Sequence, residues 1–208
     1  MRIVVLGAAG GVGTQAFLRA AERGHDVVAA AREAPTRVPA GVEATAVDVR
    51  DGVAVKEVLD GADAVLWCVG VSKRSGGDVG RSSLPHVVAA LPDGSRVITV
   101  SGAGVTLPAD RKGRGARFVS ALTKRVASDL VEDKEGEHAV LTASSLVWTE
   151  VRPPRLGDTP GSGGYTLTTR APGLAAKPVS KADVALAMVE LAESGEWARR
   201  SPFIVQGD

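Results

Sequence analysis

The segment Gly7-Ala8-Ala9-Gly10-Gly11-Val12-Gly13 places glycines at 7, 10 and 13, directly after the apolar run Ile3 to Leu6. That spacing suits the binding of a diphosphate. The first glycine permits a tight turn, the second lets backbone amides approach a pyrophosphate, and the third lets a helix pack closely on a strand. A helix over about Gly11 to Arg23 would turn its free N–H groups and positive dipole end towards the phosphates. Gly7, Gly10, Gly11, Val12 and Gly13 are therefore the expected contacts to a dinucleotide. The competing reading is a Gly-rich turn without ligand, which the strand-then-helix context disfavours.

Further chemistry is expected where other strands end. The second strand, Val27 to Ala31, runs into Arg32 rather than the acid that would hold a ribose 2′-hydroxyl. An arginine fork suits a 2′-phosphate. Arg32, assisted by Arg37, therefore predicts NADPH, and Glu33 is the residue that could instead turn inward and take a hydroxyl. Asp48 and Val49 should lie beside the adenine, and Gly70 should let the chain pass close to the cofactor. In WTEVRPPRLGD, Trp148 to Asp158, two arginines bracket two prolines where a strand stops. Ligands of an open parallel sheet bind outside the carboxyl ends of its strands. Pro153 and Pro154 should end the pairing and pack against the cofactor, while Arg152 and Arg155, too polar for a core, should face the cleft and take an anionic substrate.

The elements that position these residues alternate as βαβ units. Strands are expected at Ile3 to Leu6, Val27 to Ala31, Val42 to Val47, Ala64 to Val69, Arg96 to Val100 and Leu146 to Val151. Ala64 to Val69 is apolar throughout, as a strand covered on both faces should be. Helices are expected at Gly52 to Leu59, around Leu84 to Leu91 with Pro85 in the first turn, and as one long helix over about Val119 to Thr142. Ser180 should cap a helix that turns Val184, Met188 and Leu191 to one face. Tyr165 to Thr169 and Phe203 to Val205 read as short strands. The fold class expected is α/β, a single Rossmann-like domain over residues 1–208 with a doubly wound, mainly parallel sheet and helices on both faces.

Composition narrows the partners. The 208 residues are 44% apolar and carry a formal charge of +1, which gives no general affinity for nucleic acid or membrane. No apolar run reaches membrane-spanning length, and the opening residues lack the pattern of a signal peptide, so a cytoplasmic protein is expected. Cys68 is the one cysteine, and with three scattered histidines no metal site is expected.

The glycine pattern GAAGGVG resembles the extended and atypical short-chain dehydrogenase/reductases. Most of that superfamily acts through a tyrosine and a lysine four residues later. Here Tyr165 is the one tyrosine and residue 169 is Thr169, so that pair is absent. HAVLTASSLVWTEVRPPRLGD, GGYTLT and VSKADVALAMVEL resemble the atypical group that includes biliverdin-IXβ reductase, also called NADPH flavin reductase, and the NmrA-like NADP-binding proteins. The resemblance implies NADPH, a cleft open to bulky planar acceptors, a monomer, and Ser101 beside the nicotinamide. For Ser101 the alternative is a hydroxyl satisfying nearby backbone. One departure stands out: that group has histidine where this chain has Arg155. An arginine cannot serve as a proton donor near neutral pH, though it can clamp a carboxylate or phosphate.

Three functions fit these residues. The first is an NADPH-dependent oxidoreductase passing hydride to a flavin, tetrapyrrole or quinone, with Ser101 and Arg155 as the catalytic candidates and a small-molecule electron acceptor as partner. The second is a non-catalytic NmrA-like NADP-binding regulator. The third is a biosynthetic tailoring reductase or isomerase. The basic run from Asp110 to Arg117 reads as a solvated loop or as a lid over an anionic substrate. His138 is expected to be structural.

Overall fold

The computed structural model describes the whole chain apart from Lys73, Leu174, Asp208 and the side chain of Val119. Six parallel strands form the central sheet: β1 (Arg2–Leu6), β2 (Asp26–Ala31), β3 (Val42–Ala46), β4 (Ala64–Trp67), β5 (Arg96–Val100) and β6 (Val147–Val151). Their order is β3-β2-β1-β4-β5-β6, so the direction of winding reverses between β1 and β4. Alternate strand residues feed two cores. Ile3, Val5, Val27 and Ala29 pack with α1 (Gly11–Glu22) and α6 (Lys181–Ser194) on one face. Val4, Leu6, Val28 and Trp67 pack on the other with α2 (Gly52–Val58), α3 (Val79–Ala90) and α5 (Ser128–Ala143). This two-faced burial is why β1, β2 and β4 are near-continuous apolar runs. It establishes the Rossmann-like α/β fold that the sequence predicts.

Several local expectations hold. Ser180 Oγ accepts from Asp183 N at 2.9 Å and caps α6. The short strands β8 (Tyr165–Thr168) and β10 (Phe203–Gln206) form and pair antiparallel. A second small sheet joins β7 (Leu156–Gly157) to β9 (Val179–Ser180). Among the described residues no helix is long and apolar enough to cross a membrane.

Three expectations are corrected. Pro85 lies inside α3 rather than in its first turn, because the helix begins at Val79. The early start has a tertiary cause: Asp133 of α5 accepts from Gly80 N at 3.1 Å and Arg81 N at 2.9 Å, capping α3 from a distant segment. The long helix is two helices, α4 (Arg114–Val126) and α5, broken at Ala127 with φ −142° and ψ 49°.

The third correction concerns Arg152. Its side chain is fully buried rather than facing the cleft. Nη1 and Nη2 grip the two oxygens of Asp110 at 2.6 and 2.7 Å, Nη2 also donates to the Val105 carbonyl, and the guanidinium lies 4.3 Å over the Phe203 ring. A bidentate, ring-stacked arginine can be buried because its charge and most of its donors are matched. The basic run is correspondingly less free than a solvated loop. Lys112 is buried and donates to the Ala103 and Val105 carbonyls and to Ser120 Oγ.

Breaking a buried pair leaves the surviving charge without its partner, at a cost of about 3–5 kcal/mol. Arg152→Met should therefore lower the Tm on the order of 10 °C. Arg155→Met, on an exposed side chain, should leave Tm within about 1–2 °C. Thermal unfolding by circular dichroism checks both.

Candidate functional site

Two cavities lie at the carboxyl ends of the strands. The first, about 520 Å³, sits at the switch point and is lined by Gly7, Gly10, Arg32, Asp48, Val49 and Gly70, among others. Gly7 has φ +84°, and a Cβ there would lie 2.7 Å from the Cys68 carbonyl carbon. A Cβ on Gly13 would lie 2.2 Å from the Gly7 carbonyl oxygen. The turn can therefore form only with glycine at both positions. Gly10, the N-cap of α1, has no side chain to engage the first N–H groups of the helix, so they are available to an anion. Gly11 opens α1, and Val12 is buried beneath it. Lys181 Cδ would lie 2.9 Å from a Cβ on Gly11, and its ammonium pairs with Asp158.

Arginines gather at the rim of this cavity. Arg32 donates to the Arg74 carbonyl at 2.6 Å, and both residues line the cavity together with Arg50. Arg50 is tied to Asp78 and the Ser75 carbonyl. Glu33 also lines the cavity and sits 3.8 Å from Arg74. Arg37 is exposed and does not line this cavity; the arginine that meets Arg32 there is Arg74, from the loop after β4. No feature of a single sequence brings Arg74 to β2.

The second cavity, about 240 Å³, is lined by Ser101, Pro153, Pro154, Arg155, Leu130 and Lys134, among others. Ala116 and Thr123 of α4 contribute a wall. Ser101 donates its backbone N–H to the Val151 carbonyl at 2.9 Å, while its Oγ is buried with no hydrogen-bond partner among the described residues. The Pro153 carbonyl accepts from Ala103 N, which fixes the loop after β5 to the proline turn. Arg155 is exposed, with one bond from Nη2 to the Ala176 carbonyl at 3.1 Å.

Lys134 is the residue that sequence reasoning missed. It lines the second cavity, and its Nζ donates at 3.0 Å to the carbonyl of Val69, which lines the first. The same ammonium holds Glu137 at 2.8 and 2.9 Å, and Glu137 also accepts from Trp67 Nε1 at 3.1 Å. Burial pushes the Glu137 carboxyl up to about 7, against the pull of Lys134 and Trp67. The signal present in the sequence was the Lys134–Glu137 pair at helical spacing.

Other ionisable groups are set apart from this chemistry. Burial pushes the Cys68 thiol up to about 12, so it is no nucleophile at neutral pH. Tyr165 lines neither cavity, and burial together with its bond to Glu190 raises its phenol. His138 is held by Glu150 at 2.9 Å and lines neither cavity.

A glycine turn feeding a helix N-terminus at the switch point of a parallel sheet defines a Rossmann-like dinucleotide-binding protein. Residues 7–194 match the family model for NAD(P)H-binding, and the chain belongs to that family. A stretch of 75 residues is 40% identical to an uncharacterized protein of Mycobacterium tuberculosis, covering 36% of this chain and 9% of the length of that relative. Among solved structures, the chain is similar to a candidate NADH-flavin reductase from Streptococcus pneumoniae, at TM-score 0.81 and 21% identity over 99% of both chains. It is also similar to the anaerobilin reductase ChuY of Escherichia coli O157:H7, at TM-score 0.76 and 22% identity over 100% of this chain and 98% of that one. The oxidoreductase ylbE of Lactococcus lactis gives TM-score 0.80 at 21% identity, over 100% and 92%. At these identities the structural likenesses establish the fold.

Two outcomes follow from this geometry. Gly13→Ala should lower Tm and raise the Kd for a nicotinamide dinucleotide at least ~10-fold by titration calorimetry, since its methyl group collides with backbone. The second concerns pH. Glu137 keeps its proton in the folded chain up to about 7, whereas the unfolded chain has lost it above its ordinary 4.5. The contribution of Glu137 to stability is thus fully present below 4.5 and declines as pH rises through 7. Glu137→Gln should flatten the Tm difference between about pH 5 and about pH 8 relative to the parent protein.

Proposed function

We propose that the chain is a single-domain, NADPH-dependent reductase of the atypical short-chain type that reduces a planar, electron-poor acceptor of flavin, tetrapyrrole or quinone class. The observation that carries this reading is the pair of cavities meeting at Lys134: one bears a glycine cradle and an arginine rim, and the other a hydroxyl without a partner among the described residues. The residues fit the cofactor, because a Cβ would fill the cradle at Gly7 and Gly13, and the first amides of α1 are uncapped. A bound NADPH supplies a hydride from nicotinamide C4.

The protein's part is to bind, orient and shield. Gly7, Gly10, Gly11, Val12 and Gly13 hold the diphosphate. Arg32 and Arg74 recognise the 2′-phosphate, while Asp48 and Val49 flank the adenine. Gly70 allows close approach, and Pro153 and Pro154 back the nicotinamide half of the site. Ser101 Oγ orients the carboxamide or the acceptor. Lys134 donates at the junction of the two cavities, and Arg155 at the rim recognises an acidic group on the acceptor. An acceptor that takes its proton from solvent needs no tyrosine.

The test follows NADPH absorbance with FMN, a linear tetrapyrrole and a quinone in turn, with NADH as the control. Enzyme-dependent loss with NADPH preferred is expected. Arg32→Ala should raise KM for NADPH about tenfold and leave that for NADH nearly unchanged, as loss of a charge-assisted bond implies. Arg155→Ala should raise KM for an anionic acceptor more than for a neutral one. Tight NADPH binding without turnover on any acceptor would favour the regulator instead.

A further inference from the structure

A third cavity, about 390 Å³, lies on the far side of β6, away from the glycine cradle, and has no part in the chemistry proposed above. It is closed by the segment from Trp197 to Phe203. That segment runs along the sheet edge through Glu150 N to the Arg200 carbonyl and Arg152 N to the Pro202 carbonyl, both at 3.0 Å. The chain is forced to reach this position: Trp197 and Arg199 both have φ 56°, a left-handed state unfavourable for residues of such bulk.

The walls are aromatic and the charge is positive. Trp148, Trp197 and Phe203 line the cavity, and His138 meets the Trp148 ring edge-on at a centroid distance of 5.6 Å. Trp148 is 3% exposed, yet its Nε1–H is buried with no hydrogen-bond partner among the described residues. A buried donor left unpaired is costly and calls for an acceptor. Arg199 donates to the carbonyls of Thr142, Ser144 and Leu146 and lies 5.9 Å over the Trp148 ring, and no carboxylate among the described residues pairs with it. Arg200 lines the cavity, is exposed, and has no side-chain partner among the described residues. Asp110, the acid on the wall, is already gripped by Arg152.

We propose that this cavity is a second binding site, for a small planar aromatic acid. The ring lies against Trp197, an acceptor atom reaches the edge of Trp148 to satisfy its Nε1–H, and the carboxylate meets Arg200. Aromatic faces and an arginine fork are the complement such a ligand requires. The site is independent of the nucleotide.

Indole-3-carboxylate and 2-naphthoate, with 2-naphthamide as the neutral control, test this by calorimetry on the intact protein with and without saturating NADPH. Saturable binding of at least one acid is expected, about tenfold weaker for the amide and unchanged by NADPH. Arg200→Gln, on an exposed side chain, and Trp148→Phe, which keeps a ring but removes the donor, should each weaken the acid about tenfold. Circular dichroism confirms that both variants are folded. Failure of both acids to bind overturns the proposal. So does binding that NADPH displaces, or binding that Arg200→Gln leaves unaltered.

Discussion

Three neighbouring ionisable side chains of α5, Asp133, Lys134 and Glu137, are buried inside the protein, and much of the site depends on how they are satisfied. Buried charges cost several kcal/mol each unless paired and hydrogen-bonded. Here Asp133 takes two amides of α3, Lys134 takes the Val69 carbonyl and both oxygens of Glu137, and Glu137 takes the Trp67 indole. The network therefore fixes the start of α3, the end of β4 and the register of α5 at once. Gly80 must be glycine for the same reason, since a Cβ there would lie 1.8 Å from Glu137 Oε1. The residues it ties down are those where the two cavities meet.

A second buried network holds the opposite wall. Arg152, Asp110 and Lys112 join the end of β6 to the loop after β5. Burial works to raise the Asp110 carboxyl, but the Arg152 bond and nearby donors hold it below its usual range. Burial, helped by the nearby Arg152 charge, pulls Lys112 down to about 8. Arg152 and Arg155, three residues apart, thus have opposite fates. The first turns inward because an acid waits there, and the second stays at the rim with one weak carbonyl bond.

That contrast marks the boundary of what the sequence discloses. Strand runs, the glycine turn and the Ser180 cap are local patterns, set by period and by backbone sterics, and they read directly. Arg152 was misplaced because its partner Asp110 is 42 residues away, and nothing local says that the two meet. The start of α3 was misplaced for the same reason, its cap lying on α5. Arg74 reaches Arg32 from another loop. These three are long-range polar contacts, and hydrophobic periodicity carries no information about those.

The polar groups left in the second cavity limit what chemistry it can support. Tyr165 is bonded to Glu190 away from the cavity, so no phenol is on hand to move a proton. Ser101 offers a hydroxyl with no partner among the described residues, and Lys134 offers an ammonium already shared between Glu137 and the Val69 carbonyl. Arg155 cannot release its proton near neutral pH. Such a set can orient a substrate and stabilise negative charge. The hydride transfer proposed above, to a delocalised acceptor whose new charge spreads through a ring and whose proton arrives from water, asks no more of the protein than such a set.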